Sequence, residues 1–424
     1  MNFQKIKIIV ILLYILASFS SCSEDEPIIP DVTTPPVYSI NFPFPNHTNY
    51  LGTHIKPSNF SQTELDNQVT SFYDQWKVKY LKNDCNSSEY YVRFSTNAKT
   101  VSEAHGYGMI ITAFMAGYDV EAKKYFDGLY KYYKSNPSIT NSYLMDWKQI
   151  NCNDPLSPSD GSATDGDLDI AFSLLLAHKQ WESAGSINYL QEAKLIIAAI
   201  MQSEINQQTW TIKLGDWVNS SSQTFFYSTR TSDFTTSHLR VFKDATANAN
   251  WDLVLNKCYD LISIMQNNHS PNTGLPPDFI IDTNTTPIPA YANFLESDYD
   301  GDYYYNACRF PWRIGTDFLV SGDIRAKDAL NKINSWLTSY TSGNVNTISN
   351  GFLLDGTAIF SWSDVVYKAP FAVGAMADTS NQAWLNTLYS NVINTSINSS
   401  GYYENTVKLL SMISVSGNYW NPEI

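Results

Sequence analysis

The chain has 424 residues, 43% hydrophobic and 14% aromatic, with charged residues at only 16%. This composition allows a large core and argues against a disordered or coiled-coil chain. A formal net charge of −14 argues against nucleic acid, whose phosphates need a basic footprint, and suits neutral or cationic substrates. Eleven Trp and 28 Tyr are unusually many. Sugars are commonly bound by stacking on such rings, although large helical cores use them too.

At the N-terminus, Lys5 and Lys7 precede the apolar run Ile8 to Ala17, and Ser20-Ser21-Cys22 follows. The run is short for a membrane span, which needs about 20 residues. Residues 1–21 therefore read as a secretory signal whose cleavage leaves Cys22 first. The arrangement resembles a bacterial lipoprotein signal, with Phe19 where Leu is usual. Ser23-Glu24-Asp25-Glu26 resembles the acidic tag that sends Bacteroidetes lipoproteins to the cell surface. These resemblances imply a lipid on Cys22 and an anchored, surface-exposed place on the outer membrane. Residues 22–45, rich in Pro, Thr and acids, read as a tether. Four more cysteines follow, Cys85, Cys152, Cys258 and Cys308. None is spaced as Cys-x-x-Cys, and three disulfide pairings are open. Neither a phosphate-binding glycine loop nor a His-Glu-x-x-His pattern is present.

From Gln62 onward, apolar residues recur at three- and four-residue intervals, as Leu65, Val69, Phe72 and Trp76 do. Further helices are expected over 109–116, 120–133, 168–181, 187–201, 238–242, 251–265, 303–320, 325–337, 371–377, 382–392 and 403–414. No run of regularly alternating strands appears. Connections after Tyr80, Tyr133, Met201, Met265 and Leu337 are long, and most others are short. Long loops after every second helix gather on one face of a closed ring, the layout of an all-α, (α/α)6 barrel of six helical hairpins. Loops on one face are where sites form.

Two helix entrances carry acids. Ser102-Glu103-Ala104-His105-Gly106-Tyr107-Gly108-Met109 places Glu103 where a polar loop meets an apolar helix, beside glycines that permit close approach. Ala163-Thr164-Asp165-Gly166-Asp167-Leu168-Asp169 does the same with Asp165, Asp167 and Asp169. An acid at a helix start is also an ordinary partner of the helix dipole. Residues 163–181 nevertheless resemble the signature of glycoside hydrolase family 8, and so does 102–109, with Ala104-His105 where Gly-Gln is commoner. Echoes follow in order at Leu144–Trp147, Leu214–Trp217, Thr231–Phe234, Gly274–Phe279, Tyr305–Arg309, Phe310–Arg313 and Ala369–Phe371.

The resemblance spans roughly residues 60–415. It implies a catalytic domain over 46–424 that inverts on hydrolysing β-1,4-linked glycans, as a monomer, without metal or organic cofactor. Inversion needs an acid and a base flanking the bond with room for water. Glu103 matches the family's proton donor, and Asp165 its residue at the sugar-distorting subsite. Asp167 is expected to bond backbone at the helix start, and Asp169 to be structural.

In the largest branch an Asp in Tyr-Asp-Ala-x-Arg activates the water. Here that position is Asn306, whose amide takes no proton. The branch with Asn here, which includes chitosanases and some β-glucanases, uses a Glu from a loop just upstream. Glu296 matches it, with Asp298, Asp300 and Asp302 as rivals. The spacing of these acids also suits a calcium loop, but Tyr304 to Phe310 lacks the closing Glu of an EF-hand. Tyr107, Trp147, Trp217 and Trp312 are candidate sugar platforms, Asn306 orients water or a hydroxyl, and Arg309 braces acids or meets substrate. Arg230 and Asp233 either pair or line the site. Chitosan and β-glucans lead as substrates. Xylan is the alternative, as is an inactive glycan-binding lipoprotein.

Overall fold

The computed structural model describes residues 39–152 and 161–424. The signal, Cys22 and most of the expected tether lie outside them. The last tether residues do not behave as a linker. Phe42 stacks on Trp420 at 4.4 Å, Phe44 is buried, and the Phe44 amide donates to the Ala116 carbonyl at 2.6 Å. Two aromatic rings so close in sequence gain more from burial than from hydration, so the packed chain starts before Pro45.

Helices α1 (Gln62–Tyr80), α2 (Ser102–Phe114), α3 (Ala122–Ser135), α4 (Thr164–Trp181) and α5 (Tyr189–Ser203) come first. A single turn, α6 (Gln223–Phe226), then precedes α7 (Thr236–Thr246), α8 (Asn250–Ile264), α9 (Phe310–Ser321) and α10 (Ile324–Thr341). The chain ends with α11 (Ala369–Ala375), α12 (Gln382–Asn394) and α13 (Tyr402–Val415). Helices α2, α4, α7, α9, α11 and α13 touch in sequence order, and α13 returns to α2. Each also packs on an outer partner, respectively α3, α5, α8, α10, α12 and α1. This is the (α/α)6 barrel.

Sequence pattern separates the two rings. Outer α1 buries one stripe, Leu65, Val69, Phe72, Tyr73 and Trp76, and is closed by a capping box between Ser61 and Glu64. Inner α2 and α4 are buried on nearly every side, as helices sandwiched between a ring and an axis must be. Neither has a side-chain N-cap; the first turn instead carries Glu103 in α2, and Asp165 and Asp167 in α4.

Long connections run from an outer helix to the next inner one, so they collect where the inner helices begin. They carry only short ladders, such as Thr100–Val101 with Lys148–Gln149, and Thr229–Arg230 with Phe279–Ile281. Cys85 and Cys152 are bridged across two of these loops, while among the described residues Cys258 and Cys308 are free, so one bridge forms rather than the two of any full pairing. The helix expected from Tyr303 starts later, with a turn at Ala307–Arg309 and then α9. The reason is Asp278, whose carboxylate accepts from the amides of Tyr304, Asn306 and Ala307 and holds them out of helical pairing.

Candidate active site

Glu103 and Asp165 are brought together by two glycines. A Cβ on Gly166 would sit 2.4 Å from Ser102 Oγ, and one on Gly106 would sit 2.6 Å from Asp169 Cβ. Only glycine lets α2 and α4 cross this closely. The first turns of both helices then open into a cleft of about 750 Å3. It is lined among others by Glu103, Trp147, Asp165, Trp217, Arg230, Glu296, Asn306 and Arg309.

Arg309 is the hub. Its Nη1 donates to Glu103 Oε2 at 2.7 Å, to Asp165 Oδ2 at 2.9 Å and to the Tyr107 hydroxyl at 3.1 Å. Its Nη2 donates to Asn306 Oδ1 at 2.8 Å. The Asn306 amide in turn donates to Glu296 Oε2 at 2.8 Å. Glu103 and Glu296 are thus joined through Arg309 and Asn306. Arg230 adds a second link, with Nη1 3.6 Å from Asp165 Oδ2 and 3.8 Å from Glu296 Oε1. It pairs loosely with Asp233 as well, at 3.9 Å, so both sequence alternatives hold for Arg230.

The carboxyls differ in state. Burial pushes Glu103 up to about 7, against the Arg309 charge and with help from the Asp165 charge. The Glu103 side chain is 16% exposed, and the Tyr402 hydroxyl donates to its second oxygen at 3.2 Å. Asp165 is buried too, which by itself favours the neutral acid, but Arg230 and Arg309 together hold its carboxyl below the usual range. Glu296 is the open one, its side chain 43% exposed.

The rivals of Glu296 have other partners. Asp300 is fully buried and accepts from the amides of Leu295, Glu296 and Ser297 at 2.7–2.9 Å, which folds the loop around Glu296. Asp298 bonds the Asn293 side chain, and Asp302 accepts from the Leu354 amide at 3.3 Å. The calcium-loop alternative loses its ligands, because Asp300 is spent on backbone amides.

Two platform candidates stand in the cleft, Trp147 at 43% exposed and Trp217 at 39%. Tyr107 and Trp312 do not. Both are buried, packed edge to face at 5.8 Å, and the Arg313 guanidinium lies 4.2 Å from the Trp312 ring. They support the floor under Arg309 and Arg313. Asp169 is structural, bonded by Arg313 and His238. Asp167 does accept a backbone amide, but from Met145 at 2.8 Å on a neighbouring loop rather than from its own helix start.

Sequence reasoning missed Tyr402, Tyr403 and Glu404. The last two line the cleft at the entrance of α13, and the first holds Glu103. The rule that picked out Glu103 and Asp165, polar residues opening an inner helix, would have found them.

The family model described as glycosyl hydrolases family 8 matches residues 57–417. The chain belongs to that family. Over 380 residues it is 50% identical to a beta-glucanase of Niallia circulans, covering 90% of this chain and 91% of that one. It is 40% identical over 391 residues to an endoglucanase of Bacillus sp. (strain KSM-330), covering 90% and 82%. Among solved structures, the apo beta-1,3-1,4-glucanase of Paenibacillus sp. X4 superposes with a TM-score of 0.87 at 50% identity, covering 90% of this chain and all of that one. As a family 8 member the protein is a glycoside hydrolase.

Proposed function

We propose that this enzyme is an inverting endo-hydrolase of β-1,4 bonds in β-glucan, with Glu103 as proton donor and Glu296 as base. The observation that carries the assignment is the unequal pair of carboxyls facing one cleft. Burial keeps Glu103 protonated near neutral pH, as a donor requires. Glu296 is exposed and held by an amide NH2 that can only donate to it, so its oxygens are placed to accept. Glu103 gives its proton to the glycosidic oxygen as the C1–O bond breaks. Water attacks C1 from the other face and passes its proton to Glu296, so the anomeric configuration inverts. Asp165, held ionised by two arginines, keeps a negative charge beside Glu103 and accepts from sugar hydroxyls. Asn306 orients Glu296, and Trp147 and Trp217 stack sugar rings.

β-Glucan as substrate is supported by the names of the relatives at 50% and 40% identity. The test is hydrolysis of barley mixed-linkage glucan, carboxymethylcellulose, chitosan and xylan, followed by proton NMR. Release from the two glucans with the α-anomer appearing first is expected. Initial β-anomer, or release from chitosan or xylan alone, overturns the reading. The same proposal includes export as a monomer anchored by a lipid on Cys22. Labelled fatty acid should enter the wild-type protein and not the Cys22→Ser variant; equal labelling would count against the anchor.

A further inference from the structure

A row of aromatic rings leaves the cleft on the Tyr305 side. Tyr305 lines the cleft and meets Tyr304 at 4.8 Å between centroids. Tyr304 stacks beside Phe360 at 6.3 Å with the rings inclined by 29°, and Phe360 packs on Trp362 at 5.5 Å. Trp362 is 51% exposed. One apolar ring in water needs no explanation, but a line of rings continuous with a binding cleft does.

The loop that presents the outer rings is held before any ligand arrives. The Asn350 amide donates to the Trp362 carbonyl at 2.7 Å, and the Ile359 amide donates to the Gly351 carbonyl at 3.1 Å. Farther along, the Asp364 amide donates to the Asn350 side chain at 2.9 Å. A fixed platform loses little conformational freedom on binding. Acceptors stand beside it. Asp364 accepts from the Tyr305 hydroxyl at 3.4 Å, and Glu404 lines the adjoining cleft wall. Flat apolar faces flanked by carboxyl oxygens suit a pyranose, whose C–H face is apolar and whose hydroxyls point outward from its edge.

We propose that Phe360 and Trp362 form an outlying glycan subsite that carries the polysaccharide onward from Tyr305 after it leaves the cleft. Its occupant is a further stretch of the chain placed across Glu103 by the proposed function, on which this inference rests. Continuity through Tyr305 selects that occupant. The subsite serves long chains only, because a short oligosaccharide centred on Glu103 does not reach Trp362.

The test is calorimetric binding on a Glu103→Gln background, so that the ligand survives the measurement. β-Glucan oligosaccharides of increasing length are titrated into this protein and into the same protein carrying Trp362→Ala or Trp362→Tyr. Affinity should tighten with length, and Trp362→Ala should lose the last increment, roughly three- to tenfold in Kd, while short chains bind unchanged. Trp362→Tyr should keep most of that increment. Equal long-chain affinity in the alanine variant overturns the proposal, as does a loss common to short and long chains. If the wild-type enzyme released no sugar from β-glucan while the length increment persisted, the functional reading would fall and the subsite would stand.

Discussion

Replacing Asp165 by Asn should move the alkaline limb of activity to lower pH. Glu103 must be protonated to donate, so activity is present below its pKa and lost above it. Burial, opposed by Arg309 and aided by Asp165, places that loss near pH 7. The Glu103 and Asp165 oxygens both accept from Arg309 Nη1, at 2.7 and 2.9 Å. They therefore lie no more than about 5.6 Å apart, and at an effective dielectric of about 20 their repulsion is worth roughly 3 kcal/mol, or about 2 pH units. Asparagine keeps the shape and still accepts from Arg309, whose charge then acts on Glu103 alone; both changes lower its pKa. The limb of kcat/KM should fall from about pH 7 toward about pH 5, read on β-glucan as a full pH profile of the free enzyme. The absolute rate will drop as well, since Asp165 is placed to hold the sugar, but the limb position is independent of that loss. A limb that stays in place or moves upward would refute the coupling.

Three further outcomes follow from the same geometry. Glu296→Ala should cost about a thousandfold in kcat while Asp298→Ala keeps most activity, because Glu296 lines the cleft and Asp298 does not; the reverse ranking in a reducing-sugar assay would reassign the base. Removing the bridge between Cys85 and Cys152, which closes a span of 67 residues, should cost about 4 kcal/mol of stability. An unchanged melting temperature in the double serine variant, with and without reductant, would contradict that. Glu204 lies buried near Asp167 and Asp216, and burial pushes it up to about 8. Its folded pKa exceeds its unfolded one, so its stabilising effect is complete below the unfolded pKa and is lost as pH rises through about 8. Glu204→Gln should therefore flatten the fall in stability between the unfolded carboxyl pKa and about pH 8 in denaturant titrations, and an unaltered slope over that range would rule this out.

Much of the fold was legible because its signals are local. The stripe Leu65, Val69, Phe72 and Trp76 states both a helix and its buried face, and the alternation of long and short connections states a closed ring of hairpins. Glu103 and Asp165 were legible for a related reason: an acid opening an apolar helix is a sequence pattern, and so are the glycines beside it. Tyr107 and Trp312 show where that stops. Their residue type fits a sugar platform, but each is buried where the inner helices pack on one another. The start of α9 was misplaced because Asp278, distant in sequence, captures the amides that would have begun it.

The order of residues by itself determined most of the helices, the acidic entrances and the absence of an acid at position 306, since each depends on neighbours within a turn or two. Tertiary structure alone decided that Arg309 joins Glu103 to Asp165, that Asp300 is spent on the loop amides, and that Glu296 is the acid of its loop that lines the cleft. Those choices rest on contacts between segments far apart in the chain, where burial and a few ångströms set whether a carboxyl keeps its proton.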